Sequence, residues 1–225
     1  MRVTLSTGTT AELARPTSGE AVGGLVLWAD VFGLRPLFDG IAQRLADEHQ
    51  WVVVCPELFP GEEHLDVNER LERAGSFVDA DKLADAEAAA DATGFDQVGV
   101  LGFCMGGMWA MKSLASERFV RAVSFYGMIR IPERWADGPM GDAIDVVKHR
   151  DAQGNLRLLA IHGTDDPWCP DDEIAELQQE TSAEVVIYEG AGHGWAQDPQ
   201  RDNYRAEDAA DAWHRAEAFL TANNS

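Results

Sequence analysis

Short continuous apolar runs alternate with longer amphipathic or alanine-rich stretches along almost the whole chain. Residues 3–6 and 11–14, around Gly8, read as an opening hairpin. Strand-like runs follow at 24–28, 51–54, 98–101, 121–125, 156–161 and 184–188. Between them, the 3.6-residue period predicts a helix over 36–49 with Leu37, Ile41 and Leu45 on one face. Two helical stretches fall in the acidic segment 66–92, broken near Gly75, the second over 80–93. Further helices are expected from Met108 to Leu114, over 170–181, and over 204–220 with Ala209, Trp213, Ala216 and Leu220 inward. Residues 128–155 carry Pro132, Gly138, Pro139, Gly141 and Gly154, and read as a loop or a small rim element.

Strands that alternate with helices predict an α/β fold: a mostly parallel sheet covered by helices on both faces. Burial on both sides explains why the strand runs are apolar throughout. A chain of 225 residues suffices for one large domain over 1–225 and would make two cramped. The net charge of −21 argues against nucleic acid or an anionic membrane as partner. It fits a self-repelling surface, with a monomer or weak homodimer expected. Cys55, Cys104 and Cys169 are widely spaced, which favours free thiols in a reducing compartment. The first residues hold no apolar signal region, and no run reaches membrane-spanning length, so a cytoplasmic protein is expected.

The chemistry centres on Gly102-Phe103-Cys104-Met105-Gly106-Gly107, between a strand and a helix. A strand, a Gly-x-nucleophile-x-Gly turn and a helix form a nucleophile elbow, here with cysteine at the nucleophile position. An activated nucleophile needs a base within reach and a third group to orient it. Gly163-Thr164-Asp165-Asp166-Pro167 follows the 156–161 strand, and Gly190-Ala191-Gly192-His193 follows the 184–188 strand. Nucleophile, acid and histidine thus stand in the α/β-hydrolase order, all at carboxyl ends of strands. Each alone has a structural explanation, as a packed thiol, a turn residue or a loop histidine. Together they predict a triad of Cys104, Asp166 and His193. Asp166 is preferred to Asp165 because Pro170 stands four residues after it. The oxyanion of an acyl-transfer intermediate needs two donors. The Met105 N–H is one, and Val31, in the loop after the 24–28 strand, is named for the other. His162 is expected to be a packed, hydrogen-bonded neighbour of the site, and His49, His64, His149 and His214 to lie at the surface.

With these residues in place the chain resembles the dienelactone hydrolase family. The likeness rests on Leu27-Trp28-Ala29-Asp30-Val31-Phe32-Gly33, Val54-Cys55-Pro56-Glu57-Leu58, the cysteine elbow with its double glycine, Phe125-Tyr126-Gly127, and Gly190-Ala191-Gly192-His193-Gly194. It implies an α/β-hydrolase fold with an eight-stranded sheet and no large cap domain. It also implies a Cys-His-Asp triad without metal or cofactor, acting on enol-lactones or related activated esters. Asp30 stands where the best-known members hold a glutamate that contacts the resting cysteine, so it is expected as the cysteine's carboxylate partner. Gln197 stands where those members hold a substrate-binding arginine, and Arg70 or Arg73 falls near the other. Trp195 and Tyr126 complete the expected substrate contacts. The alternatives are a thioesterase or acyltransferase on the same triad, and a non-catalytic binding protein of this fold.

Overall fold

The computed structural model describes residues 1–222. Its eight strands are β1 (Arg2–Thr4), β2 (Thr10–Ala14), β3 (Gly23–Trp28), β4 (Trp51–Pro56), β5 (Val98–Phe103), β6 (Phe119–Phe125), β7 (Leu158–Gly163) and β8 (Glu184–Tyr188). They form one sheet in the order β1-β2-β4-β3-β5-β6-β7-β8. The β1–β2 hairpin joins antiparallel to β4, and every pairing from β4 to β8 is parallel. The helices are α1 (Pro36–His49), α2 (Val67–Ala74), α3 (Asp79–Thr93), α4 (Met105–Ser113), α5 (Ala143–Ala152), α6 (Asp171–Glu180) and α7 (Ala206–Thr221). This is the α/β-hydrolase architecture.

Successive strand residues face opposite layers, so one apolar run feeds two cores. In β3, Leu25 and Leu27 pack with α1 and α7, whereas Val26 and Trp28 pack on the other face with α3 and α4. In β4, Val53 and Cys55 join the first layer, and Val52 and Val54 the second. Pro36 at the start of α1 suits a position with no helical acceptor for its missing N–H. Phe38, Ile41, Ala42 and Leu45 are buried along that helix, and Leu37 only partly. On α7, Ala209, Ala212 and Ala216 make the close approach to the sheet, while Trp213 and Leu220 pack at its margin.

β5 and β7 extend two residues beyond their expected carboxyl ends. Phe103 still pairs with Phe125, and Gly163 with Tyr188, so the ladder runs up to the turns that bear the site. Segment 128–155 departs further from expectation: it holds a 3₁₀ turn, Glu133–Trp135, and the ten-residue α5. The prolines and glycines are crowded into its first half. From Ala143 onward Ala143, Ile144 and Val147 form a short buried stripe in the same core as α4. Arg130 then clamps the segment to α6 through Glu176, and to Asp142 beside α5.

Strand order reverses between β3 and β5, because β4 lies on one side of β3 and β5 on the other. Loops leaving these two strands diverge at their carboxyl ends, the place where open α/β sheets bind ligands.

Candidate active site

Cys104 sits between β5 and α4 at φ 58°, ψ −122°. A side-chain-bearing residue reaches this conformation only at a steric cost, which the surrounding structure must impose. Its N–H donates to the Phe125 carbonyl over 2.9 Å, fixing the turn to β6. A Cβ on Gly102 would stand 2.0 Å from the Gly106 carbonyl oxygen, and one on Gly106 would stand 2.2 Å from that of Ala29. The two glycines therefore permit the turn and its packing against the end of β3. The thiol remains partly exposed, whereas Cys55 and Cys169 are buried. Burial pushes both of those thiols well above their usual range.

Asp166 and His193 meet as expected. Asp166 Oδ2 lies 2.8 Å from His193 Nδ1, and Asp166 Oδ1 accepts the Trp168 N–H at 2.9 Å. Asp165 is exposed and accepts from the Thr164 hydroxyl. The His193 Nε2 atom is buried and makes no well-aligned hydrogen bond. The Cys104 sulfur nevertheless lies close enough to act on the ring. Burial disfavours the charged imidazole, but negative charge on Cys104 and the hydrogen bond donated to Asp166 outweigh it, raising His193 to about 10. The Tyr126 ring lies edge-on to the imidazole, with centroids 5.3 Å apart.

Three consecutive amides of the loop after β3 are tied down. The N–H of Phe32 bonds Asp30 Oδ1, that of Gly33 bonds the Asp30 carbonyl, and that of Leu34 bonds Glu57 Oε2. Among the described residues the Val31 N–H has no partner, although Val31 is 7% exposed. The Met105 N–H, in the first turn of α4, has none either. The Val31 and Met105 amides, both at buried residues and both without a partner, constitute a candidate oxyanion site.

Several expected contacts are placed otherwise. Asp30 does not hydrogen-bond Cys104: Arg35 grips its carboxylate at 2.6 and 2.8 Å, and Gln197 donates to it at 3.1 Å. Aspartate is one methylene shorter than a glutamate, and Arg35, five residues on, folds back to reach it. Gln197 is buried, with its carboxamide engaged by Asp30 and by the Tyr126 hydroxyl, so it offers nothing to a substrate. That bond also removes the Tyr126 hydroxyl from the cleft. Burial raises the Tyr126 pKa well above normal, with the charges of Asp30 and Cys104 adding to it. Arg70 is buried and bonds the carbonyls of Leu65, Glu63 and Val31. Arg73 is tied to Glu62 and Ser76 at the surface. Trp195 is fully buried against Tyr188 and Tyr126, and is core, as is Trp28. His162 is packed, yet neither ring nitrogen has a hydrogen-bond partner, and burial lowers it to about 4, keeping it neutral.

Two further side chains stand beside the His193 turn. Trp168 is half-buried, with its ring 6.1 Å from His193 and 6.4 Å from Trp135. Arg201 lies over the half-exposed Phe32 ring at 5.5 Å, and its Nη1 comes within 2.4 Å of where a Gly194 Cβ would stand. Among the described residues no carboxylate pairs with it. The signal for Arg201 was eight residues downstream of His193, outside any motif. Only the folding of the 194–205 loop brings it back.

A nucleophile elbow at the switch point, with a partly buried Asp–His pair beside it, defines an α/β-hydrolase. The sequence model of the Dienelactone hydrolase family matches residues 9–223. The chain belongs to that family, whose members hydrolyse esters or lactones. It is 28% identical over 87% of its length to a carboxymethylenebutenolidase of Rhodococcus opacus, covering 79% of that protein. It is also 28% identical to a Bradyrhizobium protein named as a probable 2-oxo-3-(5-oxofuran-2-ylidene)propanoate lactonase, over 93% of this chain and 88% of that one. A crystal structure from Klebsiella pneumoniae, assigned as a dienelactone hydrolase, has the same fold. It superposes with TM-score 0.84 at 24% identity, covering 99% of this chain and 98% of that one.

Proposed function

We propose that the protein hydrolyses a small activated ester or lactone through a Cys104–His193–Asp166 triad and an acyl-enzyme. The reading is carried by the strained Cys104 elbow standing beside a His193 that Asp166 orients through Nδ1. The Cys104 thiolate attacks the carbonyl carbon, and the carbonyl oxygen becomes an oxyanion held by the N–H groups of Val31 and Met105. The tetrahedral species collapses by breaking the C–O bond, and His193 gives its proton to the leaving oxygen. In a lactone that oxygen stays tethered to the acyl group. Water then attacks the thioester while His193 takes a proton, and the thiolate departs. Asp166 keeps Nδ1 protonated and Nε2 facing the sulfur.

The unpaired Arg201 at the rim suits a substrate that carries an anionic group. The Bradyrhizobium relative is named as a lactonase of a propanoate, a substrate with such a group. The Trp168 ring supplies an apolar wall beside His193 for the ring of such a substrate.

The test is turnover of p-nitrophenyl acetate and of a carboxylated enol-lactone by wild type and Cys104→Ala. Loss of turnover in the variant is expected. Equal turnover in the two proteins would remove Cys104 as nucleophile.

A further inference from the structure

Glu57 and Arg70 lie outside the triad, yet both are almost fully buried beneath the loop that carries Val31. Glu57 follows β4 directly. One carboxylate oxygen accepts the Phe59 N–H at 2.9 Å, and the other accepts the Leu34 N–H at 2.8 Å. It thereby ties the loop after β4 to the loop after β3. Arg70, on α2, stands 3.8 Å from Glu57 and directs Nη1 at the Val31 carbonyl over 3.5 Å. Its Nε and Nη2 bond the carbonyls of Leu65 and Glu63, and its guanidinium lies over the Phe59 ring at 5.0 Å. The arginine is therefore held by three backbone carbonyls, a carboxylate and an aromatic face. No part of it is left for a substrate.

Gly33 shows how closely the pair is fitted to the loop. It adopts φ +67°, and a Cβ there would meet Glu57 Oε1 at 2.3 Å and Arg70 Nη1 at 2.8 Å. The loop rests directly on the ion pair. Asp30 and Arg35 hold its near side, and Glu57 and Arg70 hold it from beneath. Every amide from Phe32 to Leu34 is tied down, whereas the Val31 N–H is left without a partner.

We infer that Glu57 and Arg70 are positioning residues for the oxyanion donor: they fix the Val31 peptide so that its N–H faces the carbonyl oxygen of an ester attacked by Cys104. The inference rests on the proposed function, because it takes the Val31 amide as a donor to that oxygen. A preorganised donor stabilises charge that develops in the transition state and contributes little to ground-state binding. Loosening the brace should therefore lower kcat and leave KM nearly unchanged.

The experiment compares two reactions of one sulfur. Ester acylation by p-nitrophenyl acetate builds an oxyanion, whereas alkylation of Cys104 by iodoacetamide displaces iodide and builds none. Glu57→Gln keeps the side-chain shape but turns one acceptor into a donor facing a backbone N–H. It is expected to lower kcat for the ester by about 10- to 100-fold, with KM and the alkylation rate each within about threefold. Arg70→Lys keeps the charge but loses the fork, and should show the same pattern more weakly. An unchanged kcat in both variants would overturn the inference. So would a parallel fall of ester turnover and alkylation, which marks general damage to the elbow. Should Glu57→Gln fail to fold by circular dichroism, Arg70→Lys alone decides by the same two criteria. A wild-type protein whose ester turnover survives Cys104→Ala would instead defeat the proposed function before either brace variant is read.

Discussion

Gln197 donates a hydrogen bond to Asp30 over 3.1 Å and so ties the loop that carries His193 to the loop that carries Val31. The Tyr126 hydroxyl donates to the same carboxamide, and Arg35 closes the chain on the other side of Asp30. Two substitutions relative to the best-known family members, a shorter acid and a glutamine for an arginine, thus become one buried network. Its consequence is that the Asp30 carboxylate is occupied without Cys104.

Asp30→Asn should therefore leave the iodoacetamide alkylation rate of Cys104 within about threefold of wild type, since each tenfold corresponds to about 1.4 kcal/mol of interaction that no contact supplies. An acceleration beyond tenfold would show that the carboxylate does restrain the sulfur. Gln197→Ala leaves the buried Tyr126 hydroxyl without its partner, while Asp30 Oδ2 keeps its bond from Arg35. It should cost about 1–3 kcal/mol of stability in urea denaturation, the usual penalty for an unsatisfied buried polar group.

Asp165 and Asp166 are adjacent in sequence, but only the second reaches His193. Asp166→Asn would present an amide to Nδ1 and favour the wrong tautomer. A fall in kcat of about 10²- to 10⁴-fold is expected, by analogy with other oriented histidines. Asp165→Asn should change kcat by less than about threefold, as an exposed surface change. A larger effect from Asp165→Asn would reverse the assignment.

The layered sheet and the order of the site residues were legible in the sequence because apolar runs and glycine turns are local signals. The 36–49 helix and the 184–188 strand were read with their observed bounds. The role of Asp30 was not legible, because its partners Arg35 and Gln197 come from a neighbouring turn and from a loop 167 positions away. Trp195 misled for a related reason. Its place after His193 suggests the cleft, but the Gly194 turn at φ +75° reverses the chain and sends the indole into the core. Arg70 was near the right loop for the wrong purpose, since sequence does not reveal that backbone carbonyls surround it. Helix α5 was masked by the prolines and glycines that precede it.

The elbow glycines carry a stability prediction. Gly106→Ala places a methyl 2.2 Å from the Ala29 carbonyl oxygen, where only backbone could move away. The end of β3 would have to shift from α4, at a cost of about 1–3 kcal/mol or more. A lower urea midpoint is expected together with slower Cys104 alkylation. Gly154→Ala is a useful comparison, since a Cβ there meets nothing within 4 Å and the only strain comes from its φ of +74°.

The His193 shift can be observed directly. Burial alone would lower an imidazole, yet His193 is raised to about 10, and charge on Cys104 is the foremost of the groups that raise it. Cys104→Ala removes that charge and keeps the burial. The imidazole pKa, followed by NMR, should then fall from about 10 towards the ordinary 6.5 as the proton loses its partner. Asp166→Asn should also lower it, through loss of the hydrogen bond and charge at Nδ1. A His193 that titrates at the same pH in wild type and Cys104→Ala would show that the sulfur and the ring do not interact.

Arg201 offers the sharpest test of substrate class. Its guanidinium lies between the Phe32 ring and the Gly194 turn, with no acidic partner among the described residues, on a protein of net charge −21. An arginine left unpaired on so acidic a surface, beside the turn that follows His193, is available to an incoming anion. Arg201→Gln should raise KM for a carboxylated lactone by about 10- to 100-fold, the range for losing a charge-assisted hydrogen bond of about 1.5–3 kcal/mol. For p-nitrophenyl acetate, which has no carboxylate, KM should stay within about threefold. The selectivity for the anionic substrate should also weaken as ionic strength rises, because the site is open to solvent and screening acts on it. Equal KM changes for both substrates would mean that Arg201 shapes the His193 loop and leaves substrate charge unread.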